Sequence, residues 1–209
     1  MTERPYLSFW IPIRAREGPF CRLRKLGTVK KAMRSTIPGA RGTSPETMEY
    51  GILSIGDTAA MLAEQSWSWA RESVGTTLAG MGFLNSQSVG HRVTYVDQQG
   101  RFADLYCDGE HVDCVEITIL AFTDVEALTD LEYEDQVDNF YAAFLAATKE
   151  IVSRLGDPVF SDGATATDFP DHQDAVWLSL WILPKCRLFL QQKHEDRELP
   201  FRLCLVVAR

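Results

Sequence analysis

The stretch Glu134–Gly156, EDQVDNFYAAFLAATKEIVSRLG, decides the fold, because nowhere else does a helical period of apolar residues run so long. Val137, Phe140, Tyr141, Phe144, Leu145, Thr148, Ile151, Val152 and Leu155 recur at i, i+3, i+4 and i+7, which predicts a long helix with one apolar stripe. Arg154 falls in its last turn, where a cation complements the C-terminal dipole; Gly156 can take a left-handed cap and Pro158 prevents the helix from resuming. At about 1.5–3 kcal/mol per fully buried apolar side chain, no other segment offers as large a hydrophobic gain. The rest of the chain is therefore expected to pack on this stripe.

Downstream, a loop with Ser161, Asp162, Gly163 and Pro170 leads to three strand-like runs, Ala175–Leu183, Cys186–Gln192 and Phe201–Ala208, the last two separated by the charged turn Lys193–Pro200. In the first of these, Trp177, Ser179 and Trp181 alternate with Val176, Leu178, Leu180 and Ile182, which predicts one aromatic face. Upstream lie three further runs, Arg92–Asp97, Phe102–Asp108 and Val112–Phe122, joined by turns containing Gly100 and Gly109 at hairpin spacing. Before them a helix over 58–65, capped by Asp57, and a helix over 71–79 with Val74, Leu78 and Met81 on one face are expected, the second ended by Gly80 and Gly82. Trp67 and Trp69 between these helices read as core anchors, with an aromatic ligand cage as the alternative. The fold class is α+β, an antiparallel sheet with a long helix, and the repeated order of helix, Gly-containing turn, loop and three strands suggests an αβββ-αβββ duplication.

The chain has 209 residues and a 45% apolar content, enough for one full core, and its charge divides sharply. Residues 1–47 hold ten of the 21 Lys and Arg and three of the 29 Asp and Glu; the remaining 11 cations and 26 acids give residues 48–209 a net charge of -15. Pro5, Pro12, Pro19, Pro38 and Pro45 interrupt residues 1–47, which read as a disordered basic extension or as codons ahead of a true start at Met33 or Met48. Residues 48–209 read as a single α+β domain. Its acidity argues against nucleic acid and anionic membranes as partners and favours a basic protein, unless it serves solubility alone. Cys21, Cys107, Cys114, Cys186 and Cys204 are odd in number and widely spaced, and the apolar run Tyr6–Ile13 is too short for a membrane span, so a cytoplasmic protein with reduced thiols is expected.

Seven acids, Asp124, Glu126, Asp130, Glu132, Glu134, Asp135 and Asp138, form the only long run without an internal Lys or Arg. As a candidate partner-binding surface they would steer a basic partner; alternatively part of the run is the acidic first turn of the long helix, since Thr129 and Glu132 stand at capping-box spacing. Cys107-Asp108-Gly109-Glu110-His111-Val112-Asp113-Cys114 holds every ligand type zinc prefers, but Cys-x6-Cys is not a knuckle and Asp-Gly is explained by a hairpin. His91, His111, His172 and His194 fall in predicted loops or turns. No catalytic residue, metal or cofactor is assigned, and no GxGxxG or Walker loop supports nucleotide chemistry.

Trp67-Ser68-Trp69 ahead of a helix ending in Gly-Phe, the acidic approach to the long helix, Leu155-Gly156-Asp157-Pro158, and a Trp-containing strand followed by two closing strands carry a resemblance. Over residues 48–209 the chain resembles uncharacterised actinobacterial-type immunity proteins of polymorphic toxin systems. The resemblance implies a cytosolic, non-catalytic protein-binding module that occludes a cognate toxin domain. Two alternatives stay open: a secretion-chaperone-like adaptor, and an enzyme using the Cys107–Cys114 region.

Overall fold

The computed structural model describes residues 54–98, 100–194 and 196–209. The expectations for residues 1–47 lie outside the described residues. The long helix starts ahead of the stretch that announces it: the Thr129 side chain accepts from the Glu132 amide, and the Glu132 carboxylate accepts from the Thr129 amide at 3.0 Å and its hydroxyl at 2.7 Å, a complete capping box. From there it runs over Asp130–Leu155 and stops at Gly156, whose φ of 81° lies in the left-handed region.

In chain order the elements are α1 (Ile55–Glu64), α2 (Arg71–Gly80), β1 (Phe83–Val89), β2 (Arg92–Asp97), β3 (Phe102–Asp108), β4 (His111–Phe122), a short 3-10 turn (Val125–Ala127), α3 (Asp130–Leu155), β5 (Phe160–Gly163), β6 (Trp177–Ile182), β7 (Arg187–Lys193) and β8 (Phe201–Ala208). The eight strands form one antiparallel sheet in the order β1-β2-β3-β4-β8-β7-β6-β5. Each half is a four-stranded meander preceded by a helix, and the halves join through their last strands, from Cys114 opposite Ala208 to Phe122 opposite Phe201. The arrangement is ααββββ-αββββ, one strand more per half than the sequence pattern suggests. Both extra strands, β1 and β5, are sheet edges.

All three helices lie on one face. There α3 packs on β6, β7 and β8, α2 on β1 and β4, and α1 on α3, so the long helix packs mainly on the second half of the sheet. Its buried residues are Phe140, Phe144, Ala147 and Ile151, which share a core with Val115, Ile117, Leu188, Leu190, Leu203, Leu205 and Val207. Two members of the expected stripe are not in it. Leu145 is 49% exposed, because it stands about 100° round the helix from Phe144, and Val137 is a marginal position at 36%.

The first helix also differs from expectation. Its cap is Ser54, not Asp57: the Ser54 hydroxyl accepts from the Asp57 amide at 3.1 Å and donates to the Asp57 carboxylate at 3.0 Å, which starts the helix three residues earlier. Trp67 and Trp69 stack at 5.3 Å, Trp69 is buried, and Trp67 Nε1–H donates to the Leu62 carbonyl. They anchor the α1–α2 link, in which the Trp69 carbonyl accepts from the Val112 amide at 2.8 Å, laying the link beside the start of β4.

Candidate functional site

The seven acids of the candidate binding surface are all exposed, Asp124 and Glu126 around the 3-10 turn and the other five in the first turns of α3. They are not equivalent. Glu132 is engaged by the capping box, which holds its carboxyl below the usual range through the Thr129 amide and hydroxyl. Asp130 is ion-paired with Arg197 of the β7–β8 turn, and the same guanidinium stands 5.1 Å above the Tyr133 ring. Glu134, Asp135 and Asp138 make no ion pair among the described residues, and Leu131 and Val137 stand exposed beside them.

The Cys107–Cys114 hairpin does not converge. Cys107 belongs to the core under the helices, whereas Cys114 packs against the apolar cluster of the opposite face, so no single site receives both thiols with His111. Burial pushes the Cys107 thiol up, and burial together with Glu116 pushes Cys114 up to about 11. Thiols held this way stay protonated and are poor nucleophiles and poor ligands. Among the described residues, no group of three or more His, Cys, Asp and Glu side chains could hold a metal ion. His194 is not a free turn residue: its ring stacks on Phe201 at 3.7 Å and its Nε2 shares a hydrogen bond with the Tyr133 hydroxyl.

The open face of the sheet carries a cluster that the sequence did not announce. Residues directly paired across strands share a face, so the register writes one row across it: Thr94, Asp104, Glu116, Val206, Phe189 and Leu180. Over β5–β8 this face buries an apolar cluster, Leu178, Phe189, Cys204 and Val206, beneath the β5–β6 connection, residues 164–176, with Gln191, Lys193 and Arg202 on the same face. Phe169 of that connection meets Phe160 edge-on at 5.7 Å, and Gln173 accepts a hydrogen bond from Gln191 at 2.7 Å. Over β1–β4 it is mixed, with Arg92, Thr94 and Asp104 beside exposed Val89 and Phe102.

Glu116 lies at the junction, 3% exposed. One carboxylate oxygen accepts from Lys193 Nζ at 2.6 Å and the other from Arg202 Nη1 at 2.8 Å, so three strands contribute to one buried charge cluster. Burial drives the Lys193 ammonium towards losing its proton, but the Glu116 charge and hydrogen bond outweigh this and hold its pKa above the ordinary value. Burial and Glu116 together push the Cys204 thiol up to about 12. Tyr106 beside the cluster is raised in turn by burial, Glu116 and Asp104. Above these groups opens a cleft of about 340 Å³, walled by Phe189, Val206 and Ala208 and lipped by His172, Gln173 and Asp174.

Trp177 and Trp181, the expected aromatic face, are on the other side. Trp177 packs on Tyr141 at 4.4 Å, and Trp181 Nε1–H donates to the Gly156 carbonyl at 2.9 Å, so both serve the seat of α3. Among the described residues no helix is long and apolar enough to cross a membrane. Comparison of the chain with family models, with curated proteins and with solved structures gives no match in any of the three.

Proposed function

We propose that the chain is a cytosolic, non-catalytic protein-binding module of the immunity type, which occludes a cognate toxin domain by docking the acidic start of α3 on a basic surface. The observation that carries this reading is the exposure of Glu134, Asp135 and Asp138 without ion-pair partners among the described residues, next to exposed Leu131 and Val137. Unpaired acids around apolar contacts supply long-range steering and a patch to bury. The raised thiols of Cys107 and Cys114 supply no activated nucleophile for the enzyme reading. The test is association with the protein encoded by the adjacent gene, at low and high salt, for the chain and for a variant with Glu134, Asp135 and Asp138 all changed to Lys. Asp130 and Glu132 are left intact because each has a structural partner. Association should slow about tenfold at low salt and converge towards the parent at high salt. A folded variant that associates as before at both salts would sink the acidic surface as the interface.

A secretion-chaperone-like adaptor is the second reading, favoured by the bare half of the open face, where Val89 and Phe102 stand 61% and 48% exposed. In that case a polypeptide substrate would protect the amides of β1–β3 from hydrogen exchange, and the charge-reversed variant would bind it unchanged.

A further inference from the structure

The outward face of α3 carries a second periodic pattern, on the side of the helix away from the buried stripe. Leu131, Asp135, Asp138, Ala142, Leu145 and Lys149 are all exposed and follow one another at alternating steps of four and three, the seam of a heptad repeat. The sheet takes the side of Phe140, Phe144 and Ile151, and α1 takes the flank of Glu150 and Arg154, so neither lies over this seam. A helix face turned to water is ordinarily polar, yet Leu131 and Leu145 stand 69% and 49% exposed along it.

The charges along the seam identify its occupant. Asp138 stands towards the N-terminal end and Lys149 towards the C-terminal end, and neither makes an ion pair among the described residues. Within one helix they cannot meet, because they are separated by about 17 Å at a rise of about 1.5 Å per residue. An antiparallel second copy reverses the order. With a two-fold axis between Ala142 and Leu145, each Ala142 falls opposite the second copy's Leu145, a small side chain against a large one. One layer further out, each Asp138 falls opposite the second copy's Lys149. From this complementarity we infer that α3 packs antiparallel on α3 of a second copy, forming a homodimer with Ala142 and Leu145 at its centre and an Asp138–Lys149 ion pair on either side. Glu134 and Asp135 are left outside these pairs, and the self-association does not rest on the toxin-binding role proposed above. One helix face is a smaller contact than those that hold obligate dimers, so the dimer is reversible.

Analytical ultracentrifugation of the full chain alone tests this, from about 5 to about 500 µM, the range of a reversible contact. The salt should be about 0.15 M, where a Debye length of about 8 Å screens the repulsion between two acidic bodies but not a contact pair. Monomer should give way to dimer as concentration rises. Asp138→Lys alone and Lys149→Asp alone should each weaken the dimer at least about tenfold, because the symmetry turns two attractions into two repulsions. The double exchange Asp138→Lys/Lys149→Asp restores both pairs in the opposite sense and should recover the parental dissociation constant to within about threefold. Leu145→Glu should abolish the dimer. All three positions are exposed, so circular dichroism should show each variant folded with the parent's thermal midpoint. A parent that is monomeric at every concentration would leave the seam to a different protein and overturn the inference. Single reversals that leave the dimer unchanged, or a folded double exchange no stronger than the single variants, would overturn it equally.

Discussion

Lys193 on β7 and Glu116 on β4 meet at 2.6 Å across β8, the strand that separates them, and Arg202 of β8 completes the bridge from the other carboxylate oxygen at 2.8 Å. The contact ties the two meanders together at their seam. Removing only the acid leaves two partly buried cations facing each other, so Glu116→Leu should cost about 3–5 kcal/mol in urea unfolding. Adding Lys193→Met should recover part of that, since it removes the more buried of the two cations and leaves Arg202, whose side chain is 32% exposed to water. A double variant no more stable than the single one would show that the cations had already found other partners.

The same pair fixes the alkaline limb of stability. The folded pKa of Lys193 lies above its ordinary 10.5, so its contribution is fully present below that value and is lost as pH rises through the folded pKa. The parent should therefore lose stability more steeply than the Glu116→Leu/Lys193→Met variant above about pH 10.5. Equal slopes in both proteins would contradict this.

How far the sequence could be read follows from how each element is stabilised. The long helix, α2 and strands β2, β3 and β4 were legible because one face of each must be apolar, and burial writes the period into the residues. Strand β1, FLNSQSV, and strand β5, FSDG, pair on one side only and are largely exposed, so burial writes no alternation there. The sequence pattern therefore shows three strands per half where the fold has four. The charge cluster was hidden for another reason: Glu116 is separated from Lys193 by 77 positions and from Arg202 by 86. Lys193 reads as the start of a charged turn, whereas it is the last residue of β7, opposite Arg202. An acid at the apolar centre of a strand run was the available signal, and only the strand register identifies its partners.

His194 gives an acid limb. Its ring lies between Tyr133 and Phe201, and burial lowers its pKa below the ordinary 6.5, with the Leu199 backbone and Asp196 acting in the opposite sense. A base with a depressed folded pKa is protonated more readily in the unfolded chain, so its contribution is present above about pH 6.5 and falls as pH drops from there towards the folded value. Thermal midpoints of the parent and of His194→Gln should differ most near about pH 8 and converge towards about pH 5. A constant difference across that range would remove His194 as the group responsible.

Phe144 tests the stripe itself. It is 2% exposed, packs near Trp177 at a ring separation of 6.4 Å, and lies midway along the buried positions of α3. Phe144→Ala should cost about 3–5 kcal/mol from lost transfer energy and the residual cavity. Leu145→Ala, one residue on and 49% exposed, should cost less than about 1 kcal/mol. Chemical denaturation of both variants separates a buried stripe from a general intolerance of the helix.

Gly56 controls how closely α1 can approach α3. A Cβ there would lie 2.8 Å from the Glu150 carbonyl oxygen, a backbone atom fixed inside a 26-residue helix, and 3.2 Å from the Arg154 stem. The contact cannot be relieved by a side-chain rotation. Nearby, Arg154 and Asp57 are ion-paired at 2.7 Å, so pushing the helices apart would also stretch that bond. Gly56→Ala should therefore destabilise by about 1–3 kcal/mol, the usual cost of overpacking, despite the better intrinsic helix propensity of Ala. Gly80, the last residue of α2, is the control: a Cβ there meets nothing within 4 Å and its φ is not left-handed, so Gly80→Ala should be stabilising by about 0.4–1 kcal/mol. If urea unfolding gave both substitutions the same sign, the loss at position 56 would belong to the backbone of α1 and not to its contact with α3.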